Sequence, residues 1–272
     1  MSLKSNIFLY DGKSINVKDL CDILGKNIEF GSDLYIEFNL SSFGNIHPDI
    51  KTRDQLASNI FLAFSEVSGP NATILIPSFT FSWGKNSNHI FDIDSKTHLG
   101  LMPNWFLFQE DVHRSYDPMY SVLAKGKNSK YYSKKTSNSF GRESVFSKLH
   151  DSNAKLIGFG LNFFDPTFIH YIEQYFDENI AKIKYRYLKE FHGKTRINNE
   201  ISSIQSHKCF VRNTAFKFNS NYEKLSHELR NNNALIEEKF CDSSIYISES
   251  SAVFDIGISI LEKDPHYFIS SE

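Results

Sequence analysis

The chain reads as an α/β fold on a partly parallel sheet, and three observations predict it. Short apolar runs bounded by turn formers have the length and branched content of buried strands: LYIEF at 34–38, ATILIP at 72–77 and AKLIGF at 154–159. One strongly periodic helix lies between the first two. Further helical periodicity follows the third. This strand–loop–helix–strand order favours parallel pairing in a layered α/β sandwich.

The elements follow in order. Ile15, Leu20, Ile23 and Leu24 give residues 15–25 a helical stripe that Gly25 stops. After LYIEF, the loop NLSSFGNIHPD is rich in turn formers. Thr52 then opens a helix, with Gln55 at capping-box spacing. Leu56, Ile60, Phe64 and Val67 form its apolar face, and Gly69-Pro70 ends it. Residues 78–102 show no regular period. A compact domain seldom keeps so long an irregular segment without a use, so a cover over a pocket and an unrecognised hairpin both stay open. Pro103 suits the first turn of a helix to Gln109, and a strand is expected at Ser121–Ala124. A short helix is expected at Ser144–Leu149. In NFFDPTFIHYIEQYF, Phe168, Ile169, Ile172 and Phe176 resume helical periodicity, with Asp165 or Thr167 as the expected cap. KIKYRYLKEF and residues 208–218 read as strands, and helices are expected near 221–239 and 251–263. The length fits one domain over 1–272, with room for a small subdomain at 180–250.

Composition excludes several classes of function. The formal net charge is -2, so nothing in the balance supports binding a nucleic-acid backbone. Cys21, Cys209 and Cys241 are far apart, which argues against a disulfide framework or a cysteine-rich zinc site. No apolar run reaches the length of a membrane span, and the N-terminus lacks a signal-peptide pattern. A cytoplasmic protein without membrane insertion is the expectation. There is no GxxxxGK[ST], no GxGxxG opening a helix and no GxSxG.

Three groups of residues can carry chemistry. His170 and Glu173 lie three apart on a predicted helix and share a face. The imidazole can take a proton near neutral pH, with a carboxylate fixing its tautomer. A half-buried histidine bonded to backbone is the structural alternative. HxxE alone offers too few ligands for a metal. Arg114, Asp117 and Ser121 form the second group, either an anion site or a turn with a surface arginine. The third group is FDIDSKTHLG at 91–100, where Asp92 and Asp94 can hold an amine or be plain loop residues. Ser78 and Thr80 add hydroxyls at a strand end.

In order, SDLYIEFNLSSFG (32–44), ATILIPSFTF (72–81), FDIDSKTHLG, HRSYDPMYSVLAKG (113–126) and LIGFGLNFFDPTFIHYIE (156–173) resemble the aminoglycoside 3-N-acetyltransferase family. The resemblance covers roughly residues 15–175. It implies a sandwich with a central mixed sheet flanked by helices, distinct from the GNAT acetyltransferases, and an acyl-coenzyme A co-substrate. Thr167, His170 and Glu173 match its threonine–x–x–histidine–x–x–glutamate motif, which implies His170 as general base. Arg114, Ser115, Pro118 and Ser121 match its arginine–serine–x–histidine–proline–x–x–serine motif, with Asp117 in place of the histidine. The early histidine–serine–serine portion becomes Phe38, Asn39, Leu40, Ser41 and Ser42. Asn104 stands where an acid is common.

The resemblance thus assigns His170, Glu173, Asp94 and Asp117 to catalysis, and Ser41, Ser42, Ser78, Arg114 and Ser121 to coenzyme A. Glu173 or Asp117 would orient His170, Asp94 would hold the amine, and Ser78 or Ser121 would steady the oxyanion. Fewer acids around the acceptor pocket extend the resemblance to nucleotide-sugar N-acyltransferases of anthrose biosynthesis. On that reading the acceptor is a dTDP-4-amino-4,6-dideoxy-D-glucose. The alternatives are an aminoglycoside acceptor and a non-catalytic protein that binds coenzyme A or a nucleotide sugar.

Overall fold

The computed structural model describes residues 2–85 and 88–270. Asn86 and Ser87, inside the irregular 78–102 segment, lie outside the described residues.

A seven-stranded mixed sheet organises the chain. Its spatial order is Ile236–Phe240, Ser243–Glu249, Lys155–Phe159, Leu34–Phe38, Thr73–Pro77, Val122–Gly126 and His113–Arg114. Leu34–Phe38 runs parallel to both its neighbours, while the flanking pairs are antiparallel. The fully buried patterns of Thr73–Pro77 and Lys155–Phe159 match strands covered on both faces. One apolar cluster, with Leu34, Ile36, Ile60, Phe64 and Phe159, fills one side. A second, with Tyr35, Leu75, Phe146, Leu156 and Ile172, fills the other. Alternate residues of each strand thus go to opposite layers. Among the described residues no helix is long and apolar enough to cross a membrane.

The helix Arg53–Ser68 begins where expected: Thr52 accepts the Gln55 N–H through Oγ1 at 3.1 Å. Gln55 Oε1 reaches back to the Lys51 N–H at 2.8 Å, one residue earlier than a capping box requires. Gly69 closes this helix at φ +75, a conformation that favours glycine. The helix Val145–Asp151 is capped by Ser144.

Four expectations are corrected. The described residues of 78–102 hold a short helix, Ser82–Lys85, and a strand, Ile90–Asp92, that pairs parallel with Arg186–Ile197, and show no hairpin among themselves. The helix expected to Gln109 is Leu101–Phe106. The helix Ile169–Asn179 has Phe168 at its N-cap, with neither Asp165 nor Thr167 as side-chain cap. The 221–239 segment divides into a helix, Glu223–Asn231, and a strand, Ile236–Phe240, because Asn233 turns the chain at φ +55.

Within 180–250 the chain takes two courses. The hairpin of Arg186–Ile197 and Gln205–Arg212 lies outside the central sheet, whereas Ile236–Phe240 and Ser243–Glu249 extend it.

Candidate active site

The helix Ile169–Asn179 begins near the carboxyl end of Leu34–Phe38, where open α/β sheets place ligands. The chain leaves Lys155–Phe159 through Gly160 at φ +81. A Cβ there would stand 2.3 Å from the Asn39 carbonyl oxygen, so only glycine fits this crossing. Glu37, at the end of its strand, accepts the Thr167 N–H at 3.0 Å and the Tyr35 hydroxyl at 3.1 Å. That contact fixes the approach to the helix.

His170 and Glu173 then meet one turn apart, as their spacing requires. His170 Nδ1 lies 2.9 Å from Glu173 Oε2, and the Glu173 side chain is 0% exposed. Tyr185 donates its hydroxyl to Glu173 Oε1 at 3.0 Å, and Tyr222 reaches the same oxygen at 3.4 Å. Arg186 Nε stands 2.9 Å from Glu173 Oε2 without an aligned hydrogen bond, so this contact is one of charge. Arg186 also donates from Nη2 to the Tyr222 hydroxyl at 2.9 Å.

The electrostatics set two protonation states. Burial alone would raise the Glu173 carboxyl, but the Arg186 charge and the donors around it hold it below the usual carboxylate range. Burial lowers His170, and Arg186 lowers it further, against the pull of Glu173. A carboxylate facing a neutral imidazole requires the proton on Nδ1, a tautomer assigned from this network. Nε2 then carries the lone pair and accepts one long hydrogen bond, from Arg186 Nη2 at 3.5 Å. The rings of Phe140, Tyr222 and Tyr120 surround the imidazole at centroid distances of 5.4, 5.7 and 6.4 Å. Its side chain keeps 14% of its surface exposed, so it is accessible to a small reacting group. The arrangement can take a proton from a bound amine.

Two cavities lie nearby, one beside the segment that leads into this helix and one against the helix itself, and His170 lines neither. One of about 250 Å3 is lined by Glu37, Phe38, Phe79, Leu161, Asp165 and Thr167, among others. Burial and the nearby Glu37 push the Asp165 carboxyl up to about 7. A second, of about 610 Å3, includes Phe140, Arg142, His150, Tyr171, Tyr175 and Phe254. His150 stacks on Phe254 at 4.0 Å.

The other residues singled out in the sequence sit elsewhere. Arg114 is a buried clasp with four of its five N–H donors held by the protein. Nη1 bonds the carbonyls of Ile93 and Ser95 at 2.9 and 2.6 Å, Nη2 bonds Ser78 O at 2.6 Å, and Nε bonds Ser121 Oγ at 3.1 Å. In this arrangement it has no guanidinium edge to offer an anion. Burial lowers it to about 10, still charged at neutral pH. Ser78 and Ser121 bond each other and are closed off with it. Asp94 is exposed in the loop that Arg114 holds, where its backbone N–H bonds Asp92 Oδ1, and among the described residues it forms no hydrogen bond or ion pair with His170. Ser42 donates to the carbonyl oxygens of Asn39 and Gly160, while exposed Ser41 bonds Asn39 Oδ1. Asp117 is buried against Ser139 and His207, and Glu173 alone of the two carboxylates bonds His170.

Sequence reasoning missed Glu37, Tyr185, Arg186 and Tyr222. The only signal was KIKYRYLKEF itself, in which Tyr185 and Arg186 look like ordinary strand residues.

Comparisons with known proteins bear on the family and the fold. A profile of the aminoglycoside 3-N-acetyltransferase family matches residues 41–262. No curated sequence matches the chain. Among solved structures, the apoenzyme of aminoglycoside acetyltransferase AAC(3)-IVa is 16% identical over 93% of this chain and 90% of that one, with TM-score 0.70. AAC-IIIb in a binary complex with CoASH is 15% identical over 92% and 97%, with TM-score 0.71. AAC-VIa bound to sisomicin is 14% identical over 91% and 97%, with TM-score 0.73. These likenesses share the fold, and the profile spans most of the sequence. The chain therefore belongs to the aminoglycoside 3-N-acetyltransferase family, whose acyl donor is a coenzyme A thioester.

Proposed function

We propose that this chain, as one unit over 1–272, moves an acyl group from a coenzyme A thioester to the amine of an amino sugar by direct attack. The observation that carries the reading is His170, partly buried and neutral, with Nδ1 engaged by Glu173 and the Nε2 lone pair met only by a long bond from Arg186 Nη2 at 3.5 Å, weak enough to be displaced by an amine proton. The amine nitrogen attacks the thioester carbonyl carbon and forms the C–N bond. His170 Nε2 removes the proton from that nitrogen. The C–S bond then breaks, and the thiolate takes a proton as it leaves. Buried Cys209, whose thiol burial pushes up to about 12, is a poor nucleophile, so an acyl-enzyme at this residue has no support.

The family match favours an aminoglycoside acceptor. Glu37 and Asp165 support it, because two carboxyls on one cavity suit a ligand ammonium. A second reading, a dTDP-4-amino-4,6-dideoxy-D-glucose acceptor, is supported by the larger cleft. There a stacked His150–Phe254 pair, Tyr171, Tyr175 and Arg142 suit a flat base and a phosphate.

Thiol release from acetyl- and 3-hydroxyacyl-coenzyme A, with gentamicin and with the dTDP-amino sugar, tests both acceptors. His170→Asn should reduce turnover by about 100-fold or more in a folded protein. Unchanged turnover would remove His170 as base. Coenzyme A binding without thiol release on any amine would leave the non-catalytic binding reading in its place.

A further inference from the structure

Two of the rings around His170 hang from a polar cluster that takes no part in the hydrogen bonds of the base. Asp117 Oδ1 accepts the N–H groups of Met119 and Tyr120, each at 2.8 Å. It also accepts from Ser139 Oγ at 3.1 Å and stands 3.2 Å from His207 Nε2. Ser139 Oγ and His207 Nε2 are 2.9 Å apart. All three side chains are buried. Burial would raise the Asp117 carboxyl, yet His207 and the two backbone N–H groups hold it low, so it remains a carboxylate. Ser139 then donates its single proton to Asp117, and the His207 Nε2–H faces the two oxygens.

We propose that Asp117, Ser139 and His207 are positioning residues for the transfer reaction, fixing Tyr120 and Phe140 as walls that keep His170 dry and correctly placed. Tyr120 donates its backbone N–H to Asp117, and Phe140 directly follows Ser139. Their rings meet at 4.6 Å and both face His170. The segment before Phe140 is pinned again, by Ser139 N–H to Lys208 O at 3.0 Å and Lys208 N–H to Ser137 O at 2.7 Å. Lys208 and His207 lie on Gln205–Arg212. That strand pairs with Arg186–Ile197, which carries Arg186 to Glu173. One hairpin thus holds the surroundings of His170 at two points. The titratable groups facing His170 are Glu173, Arg186, Tyr120 and Tyr222, and neither Asp117 nor His207 is among the charges that act on it. A change in His170 titration on altering the cluster therefore reports packing and water.

The inference rests on His170 as the base, and its test separates the two claims. Ring-carbon NMR titration of His170 in the full chain needs no substrate. It is paired with steady-state thiol release from acetyl-coenzyme A with gentamicin or the dTDP-amino sugar. His207→Leu should lower kcat about tenfold with little change in KM for acetyl-coenzyme A, as a shifted wall misaligns the base. The His170 midpoint should move up toward the usual histidine range. His207→Gln, which keeps an N–H near the position of Nε2, should restore most of both. Ser139→Ala removes only a hydroxyl and guards against misfolding of the leucine variant; it should move both readouts the same way. Wild-type titration and kcat in folded Ser139→Ala and His207→Leu would overturn the proposal, as would a glutamine variant no better than leucine. If the unaltered chain releases no thiol with either acceptor, the proposed reaction fails, and the NMR comparison still decides the positioning claim.

Discussion

Arg186 Nε lies 2.9 Å from Glu173 Oε2, and the carboxylate it faces has no solvent-exposed surface. An arginine from a hairpin outside the central sheet therefore completes a charge pair whose acid lies on the helix of the candidate base. Truncating Arg186 to leucine leaves Glu173 with hydrogen-bond donors but no cation. Breaking a buried pair in this way costs about 3–5 kcal/mol, so the melting temperature should fall by many degrees in a thermal scan. Arg186→Lys keeps the charge and should lose less. A leucine variant as stable as the parent would mean that the pair contributes nothing net.

The pH dependence has a definite sign. His170 sits below the usual histidine range because it is buried and faces Arg186. The base is deprotonated above its folded pKa, so a depressed value extends activity toward acid. The acidic limb of the kcat/KM profile should lie below the usual value for histidine, about 6.5. In Arg186→Lys the cation can retreat from the ring, and the limb should move up. A limb at or above the usual value in the unaltered chain contradicts the dry, neutral imidazole.

Asp165 offers a stability test at the opposite end of the pH scale. Its carboxyl is raised to about 7, above its unfolded value. The stability linked to its protonated form is fully present below the unfolded pKa and is lost as pH rises through about 7. Asp165→Asn cannot ionise. Its gain over the parent should grow from pH 4.5 and level off above neutrality at about 1 kcal/mol, the shift being discounted for partial exposure. Melting temperatures at pH 4.5 and pH 8 measure it; equal differences at the two values would argue against a raised carboxyl.

Arg114 should matter for folding rather than for the acyl donor. Its donors bind Ile93, Ser95, Ser78 and Ser121, and its guanidinium lies over the Phe91 ring at 5.2 Å. Arg114→Met strands the partly buried carbonyls of Ile93 and Ser95, leaves Ser78 O with the Ser121 hydroxyl alone, and should cost about 2–4 kcal/mol. The folded fraction should keep its affinity for coenzyme A within about twofold, measured by calorimetry, because a buried clasp adds no contact to a ligand. A large loss of affinity without loss of stability would return Arg114 to the ligand site.

Legibility in the sequence followed the range of the interactions. Leu34–Phe38 and Arg53–Ser68 were plain, since apolar period and the Thr52 cap are local signals. Ile236–Phe240 was not, because IEEKF is a polar edge strand whose order comes from its partner Ser243–Glu249. The same division holds in the site. His170 and Glu173 share one helical turn, so their spacing sufficed. Tyr222 reaches Glu173 across 49 positions, and Glu37 meets Thr167 across 130. Only the course of the chain between those residues brings them together. The arginine of HRSYDPMY matched a motif, but no spacing rule says whether a guanidinium faces a ligand or its own loop.

The hairpin that carries Arg186 and His207 also limits where this chain tolerates change in length. Added residues within Arg186–Ile197 or Gln205–Arg212 would slip the register that sets Arg186 beside Arg212 and Phe191 beside His207, and both anchor points would be lost together. The turn at Asn198 and Asn199, with φ of +47 and +67, belongs to neither anchor. It is the place to attach an affinity tag or a fluorophore, and the place where relatives of this chain can differ in length without giving up the site.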